Sequence, residues 1–204
     1  MLGRISLLVF WLVMLALSLV AVGRWRTGSV PDFRGQIPEV IPRWGYVIIP
    51  FALLGFVYLF ILTLLYIWDP GVASGFLWFS IPLDDVVMEL LVFIGSLLTL
   101  VGTMVFLTAF FHLGSSVRLL IPDEEERTEL MTDGWYAYSR NPLYLGLHIS
   151  MVGWVLIMPD ALTILALVVF LLNQHFRILS EERFLEARFG EEYYEYKKRV
   201  RRYL

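Results

Sequence analysis

Long apolar runs separated by short polar stretches dominate this chain. Five of them approach the roughly 20 apolar residues that a helix needs to cross a hydrocarbon core: Ile5–Val22, Tyr46–Ile67, Val86–Phe111, Leu143–Met158 and Ala161–Phe176. Pro159-Asp160 is the only break between the last two, so they are expected to form a tight hairpin whose turn barely reaches the far interface. The first run also begins like a secretory signal, since Arg4 precedes an apolar stretch ending at Ala21-Val22-Gly23. It is long for that role, and the rest of the chain is itself rich in apolar runs, which favours a span. Beyond Gly190, Tyr193, Tyr196, Val200 and Tyr203 recur at helical spacing opposite Lys197, Lys198 and Arg201, predicting an interfacial helix against anionic headgroups. The expected fold class is all-α: a polytopic integral membrane protein of about five transmembrane helices plus a cytoplasmic C-terminal amphipathic helix. Residues 1–80 read as a two-helix membrane region of unassigned role and 81–204 as the functional core.

Composition supports a bilayer. With 58% hydrophobic and 16% aromatic residues in 204, the chain is too apolar for an ordinary soluble domain. Its net charge of -3 conceals an asymmetry that argues for membrane orientation and against nucleic acid as a partner. Arg24, Arg26, Arg34 and Arg43 fall in the first loop, Arg118, Arg127 and Arg140 in the third, and Arg183, Arg188, Lys197, Lys198, Arg199, Arg201 and Arg202 in the tail. The second loop carries Asp69, Asp84 and Asp85 without a basic residue. The positive-inside rule then places the N-terminus outside and the C-terminus in the cytoplasm, in a plasma membrane if the source is prokaryotic or the endoplasmic reticulum if eukaryotic. The chain has no cysteine, which excludes disulfides and thiolate chemistry.

The polar features gather on the expected cytoplasmic side. His112 ends the third apolar run, and the acidic stretch Asp123-Glu124-Glu125-Glu126 reads as a solvated loop face. Asp133-Gly134 reads as a turn, with Trp135, Tyr136 and Tyr138 at interface height. Asn141-Pro142 suits the start of a helix, Asn as N-cap and Pro at the first position. Arg140 immediately before it adds a guanidinium to a helix N-terminus, a combination that suits a carboxylate or phosphate. Glu181-Glu182 follow the last apolar run, expected to end near Arg177; they are either ion-paired with Arg177, Arg183 or Arg188, or turned to a cationic or hydroxyl-bearing ligand.

These parts, in order, are the Leu113-Gly114-Ser115 turn, Gly134-x-Tyr136, Arg140-Asn141-Pro142-Leu143-Tyr144-Leu145-Gly146, Arg177 with Glu181-Glu182, and Phe189-Gly190-Glu191-Glu192-Tyr193-x-Glu195-Tyr196-Lys197-Lys198-Arg199-Val200. In them the chain resembles the isoprenylcysteine carboxyl methyltransferase family of integral membrane methyltransferases, with a looser likeness to phospholipid N-methyltransferases. The resemblance covers about the last hundred residues. It implies S-adenosylmethionine as methyl donor and a lipophilic small-molecule or lipidated acceptor reached from the membrane lipids. The implied cofactor-binding residues are His112, Leu113, Gly114, Tyr136, Arg140, Asn141, Pro142, Tyr144, Leu145, Glu181 and Glu182. Those expected to act on the reaction are Arg140, Arg177 and Glu182. One departure bears on the acceptor: prenylcysteine enzymes usually carry histidine where this chain has Asn141, whereas phospholipid methyltransferases have an Asn-Pro-x-Tyr core like the one here.

The donor's chemistry suits the residues. Arg140 and the helix N-terminus are candidates for its carboxylate, and Glu181 and Glu182 for its ammonium or ribose hydroxyls. His112, Leu113, Gly114 and Tyr144 are candidates to line it. The expected reaction is in-line displacement at the methyl carbon, aided by positioning and exclusion of water, with no covalent enzyme nucleophile. A prenylcysteine carboxylate needs only a cation to orient it, Arg177 or Arg140. An amine must lose a proton, to Glu182 or a histidine, and a small thiol is a third acceptor. The Gly-x-Gly turn of soluble methyltransferases is absent. No metal site is expected in the enzyme. Two readings of another class remain: a haem, metal or quinone held by two of His112, His148 and His175, and a catalytically silent scaffold.

Overall fold

The computed structural model describes residues 1–26, 45–77, 81–113 and 130–204. Gly114, Ser115, Ser116, Arg118, the acidic stretch 123–126 and Arg127 lie outside them, as do Arg34 and Arg43. The described residues are helical and hold no strand: α1 (Leu2–Arg26), α2 (Gly45–Trp68), α3 (Pro70–Ser74), α4 (Asp85–Leu113), α5 (Pro142–Ile157), α6 (Ala161–Phe189) and α7 (Glu191–Arg199), with a 3-10 turn at Gly134–Ala137.

Three of these helices are long and apolar enough to cross a membrane, over Leu2–Leu19, Asp85–His112 and Ala161–Phe189; the apolar stretches Leu53–Trp68 and Pro142–Ile157 are shorter. Their outer faces match that solvent. Leu54 on α2 and Met104 on α4 are 65% and 67% exposed, among many outward leucines and phenylalanines. An apolar surface on this scale belongs against lipid.

The most extensive helix contact is between α4 and α5. Gly95 and Gly102 on α4 meet Gly153 and Gly146 on α5 so closely that the backbones touch. A Cβ built on Gly102 would lie 2.5 Å from the Gly146 carbonyl oxygen and from the Ser150 nitrogen, and one on Gly146 would lie 2.5 Å from Phe106 nitrogen. Small residues at this spacing let helices associate by van der Waals contact where lipid supplies no hydrophobic drive. Hydroxyls line the same seam, with Ser150 Oγ donating to the Thr99 carbonyl at 3.3 Å. The buried core gathers Leu7 of α1, Leu59 and Leu62 of α2, Ala73 of α3, and Trp154, Val155 and Ile157 of α5. Within it the Trp154 indole donates to Thr63 Oγ1 at 2.7 Å, and that hydroxyl donates to the Leu59 carbonyl at 2.8 Å, so a buried polar pair joins α2 to α5.

Some boundaries depart from expectation. The last long helix does not end near Arg177 but runs unbroken to Phe189. Its polar extension is rich in Glu, Arg and Leu, good helix formers, and the chain offers no breaker until Gly190, which turns at φ +53. Asp160 is fully buried in the hairpin between α5 and α6, where it caps α6 by accepting from Leu162 N–H at 2.8 Å. The second loop contains α3, capped by Asp69. The tyrosine stripe of α7 faces protein rather than headgroups: Tyr193, Tyr196 and Val200 are buried against Leu130, Leu185 and Phe189.

Candidate functional site

The start of α5, the polar extension of α6 and the C-terminal tail converge. The tail is stitched along the chain before α5: Arg140 N–H donates to the Arg201 carbonyl at 3.0 Å, and Ser139 Oγ to the Arg202 carbonyl at 3.2 Å. This brings Arg202 to Glu182, which it grips with a fork, Nε to Oε1 at 3.1 Å and Nη2 to Oε2 at 2.9 Å. Arg140 Nη2 approaches Glu182 Oε1 at 3.3 Å, and the Asn141 amide donates to the same oxygen at 3.2 Å. The Glu182 side chain is 5% exposed and that of Arg140 8%. Hydrogen bonding to Glu182 holds the Arg202 guanidinium above its ordinary pKa.

Asn141 occupies the N-cap position of α5, with Pro142 at the first helical position, but its side chain makes no capping bond. The amide is spent instead on Glu182 and on the Arg202 carbonyl, two acceptors that only its NH2 group can serve.

Counting charges, the cluster sets two guanidiniums around one buried carboxylate, an excess of one positive charge. Nε and Nη1 of Arg140 are buried with no hydrogen-bond partner among the described residues, and so is the Tyr193 hydroxyl. Buried guanidinium nitrogens and an unbalanced cation are costly, and an anion placed there relieves both. One turn along α5, Tyr144 hydrogen-bonds the exposed Glu181 carboxylate. The Arg177 charge acts on both groups.

The other expected residues are distributed around this cluster. Tyr136 is buried in the 3-10 turn, and its carbonyl accepts from the Tyr196 hydroxyl at 2.7 Å. Burial pushes the Tyr196 phenol up to about 12 and raises those of Tyr136 and Tyr193 as well. His112, in the last turn of α4, faces Asp133 at 3.2 Å and lines a separate cavity of about 380 Å³ with Thr108, Gly134, Trp135 and Tyr138. Gly134 sits at φ +54, and a Cβ there would lie 2.5 Å from His112 Nε2. Leu113 is the last residue of α4, and Gly114 lies outside the described residues. Leu145 belongs to a slot between α5 and α6 that also contains His148 and His175. Among the described residues no group of three or more His, Asp or Glu side chains is placed to hold a metal ion.

In the sequence Arg202 is one of several tail cations, with nothing local to mark it as a member of the site. Its pairing depends on a tail that folds back over α5, for which adjacent sequence carries no signal. Ser139, fully buried, and the Tyr193 hydroxyl were missed for the same reason.

A match to a known protein family covers Arg140, Asn141, Glu181 and Glu182 of this cluster but not Arg202. The family model for phospholipid methyltransferases matches residues 90–192, half of the chain, and the chain belongs to that family. A protein of Haemophilus influenzae described as uncharacterized is 42% identical over 64 residues, 30% of this chain and 100% of that protein. The protein-S-isoprenylcysteine O-methyltransferase of Schizosaccharomyces pombe is 32% identical over 96 residues, 46% of this chain and 40% of the yeast protein. Its namesake in Saccharomyces cerevisiae is 33% identical over 110 residues, 52% of this chain and 46% of that one. The chain thus spans less than half the length of these two named relatives. No solved structure matches significantly.

Proposed function

We propose that this protein is a membrane-embedded methyltransferase that uses S-adenosylmethionine and acts on a lipophilic acceptor, foremost the carboxylate of an isoprenylcysteine-type substrate. The observation that carries this reading is the free edge of Arg140, a buried guanidinium in a cation-rich cluster one helical turn from the Tyr144–Glu181 pair. The amino-acid end of S-adenosylmethionine carries a carboxylate beside an ammonium, and such a zwitterion suits a fixed cation next to a reachable carboxylate. When bound, the cofactor supplies a methyl group on a sulfonium cation. Arg140 Nε and Nη1 would hold its carboxylate, and Glu181 its ammonium or ribose hydroxyls. Glu182, with all its described bonds directed inward, orients Arg140 and Arg202. Tyr144 fixes the Glu181 rotamer, Pro142 and Asn141 set the start of α5, and Arg177, engaged with the Tyr144–Glu181 pair, would orient an acceptor carboxylate. His112, Leu113, Tyr136 and Leu145 are the other residues proposed to take part, with Gly114, outside the described residues, on the resemblance alone.

In this reading five helices cross the bilayer, with the N-terminus outside and the site at the cytoplasmic face, where the tail's cations lie. Residues 81–204 carry the chemistry, and the first two long helices complete the membrane body. The family match and Asn141 support a second reading, an amine on a phospholipid as acceptor. A base would then have to take the amine's proton.

Calorimetric titration of detergent-purified protein with S-adenosylmethionine and S-adenosylhomocysteine tests the donor. Binding is expected in the wild type and at least about tenfold weaker in Glu181→Ala, the loss of about one charged hydrogen bond. A folded wild type that binds neither compound refutes the reading.

A further inference from the structure

Between α5 and α6 lies a slot of about 340 Å³ lined by Leu145, His148, Leu171, Leu172, His175 and Tyr203. It is distinct from the Arg140–Glu182 cluster yet mechanically tied to it, since Tyr203 follows Arg202 on the strapped tail. His148 lies four residues beyond Tyr144 on α5, so the two share a face about 6 Å apart along the axis. His175 stands seven residues, two turns, before Glu182 on α6. The slot therefore lies about one turn away from the proposed donor residues, on the side of the apolar part of the hairpin.

Its chemistry is mixed in a specific way. Three leucines form the apolar walls, and Leu172 is 46% exposed on the outer surface, where lipid would stand. His175 Nδ1 is engaged with the Tyr203 hydroxyl at 3.0 Å. His148 stacks obliquely toward the Tyr203 ring, with centroids 5.8 Å apart, and its Nε2 is buried with no hydrogen-bond partner among the described residues. A buried imidazole nitrogen without a partner costs free energy unless something completes it. Water is a poor occupant of a leucine-walled slot open to lipid; an amphiphile with an apolar chain and a hydrogen-bonding head fits both halves.

We propose that this slot is the acceptor subsite, with the lipid chain along Leu145, Leu171 and Leu172 and the acceptor's polar head accepting a hydrogen bond from His148 Nε2–H. The inference rests on the methyltransferase reading for its place in the reaction, but the subsite itself is a binding claim. It adds a residue that family resemblance did not supply, and it moves Leu145 from the donor to the acceptor side.

The test is binding of N-acetyl-S-farnesylcysteine to the full chain in detergent micelles, read by calorimetry against protein-free micelles and without any methyl donor. Wild-type protein binds. His148→Phe, which keeps the ring volume and loses the donor, and Leu172→Trp, which fills the mouth of the slot, each weaken binding about tenfold or more. His148→Gln, which retains an N–H, recovers most of the affinity. S-adenosylmethionine affinity and thermal stability stay near wild type in all three, and in transfer assays the acceptor KM rises while the donor KM does not. A wild type that does not bind the farnesyl probe overturns the proposal, as does equal binding by wild type, His148→Phe and Leu172→Trp. Absence of S-adenosylmethionine binding in wild type, with the farnesyl probe still discriminating the variants, would sink the methyltransferase reading and leave the subsite standing.

Discussion

Helix α5 takes part in two buried contacts built on opposite principles. Toward its middle, Gly146 and Gly153 press against α4 until backbone meets backbone, and nearby hydroxyls find partners within the seam. At its start, Asn141 and Arg140 join Glu182 and Arg202 in a contact made of charge, with hydrogen-bonding capacity left over on Arg140. The seam has no room and no unspent polar group, so it can only hold the helices together. The polar cluster holds the tail to the helices and leaves Arg140 Nε and Nη1 without a partner among the described residues, the edge proposed to receive an anion. Under the proposed function, fold and ligand recognition separate along a single helix of 16 residues.

The comparison breaks most severely at Glu182. Glu182→Ala leaves two guanidiniums facing each other, and a loss of about 3–5 kcal/mol is expected from removing one partner of a buried ion pair. Thermal unfolding in detergent would register it, and a change below about 1 kcal/mol would mean that the cluster is not structural. Gly102→Ala attacks the other contact, pushing a methyl into the α5 backbone. Overpacking of this kind costs about 1–3 kcal/mol. Donor affinity of the folded fraction should remain at the wild-type value, and a matching loss of S-adenosylmethionine binding would show that seam and site are not separable.

Glu181→Ala sharpens the contrast with its neighbour. An exposed carboxylate is expected to contribute less than about 1 kcal/mol to stability, while donor affinity falls about tenfold or more. A catalytically silent scaffold predicts the reverse, altered stability with no ligand effect. The remaining effect is alkaline. The Tyr196 phenol is raised from 10.0 to about 12 in the fold, so its contribution to stability is complete below pH 10 and is lost as pH rises toward 12. Tyr196→Phe should flatten that part of the stability profile, followed by phenolate absorbance and melting temperature together; an unchanged alkaline limb would show that Tyr196 does not govern it.

The apolar runs announced the long helices because a hydrocarbon solvent demands uninterrupted apolar stretches, and few other contexts do. The Arg140, Asn141, Glu181 and Glu182 neighbourhood was legible as a set of residues out of place beside such runs. The length of α6 was not, because hydropathy falls at Arg177 while helix propensity continues to Gly190. A single solvent-based signal confuses the edge of an apolar stretch with the end of a helix. The α7 tyrosines show the same limit: their spacing announced a one-sided helix, but not whether protein or lipid covers that side.

Sequence alone therefore determined the class of protein, the approximate helices and the types of group available for a site, since each depends on local composition and periodicity. Tertiary structure decided which groups meet. It spent Asn141 on a carboxylate rather than a cap, brought Arg202 from the tail to Glu182, and separated His148 and His175 from His112. Such pairings depend on distances between residues far apart in the chain, set by how the helices pack and where the tail returns, and no local pattern encodes those distances.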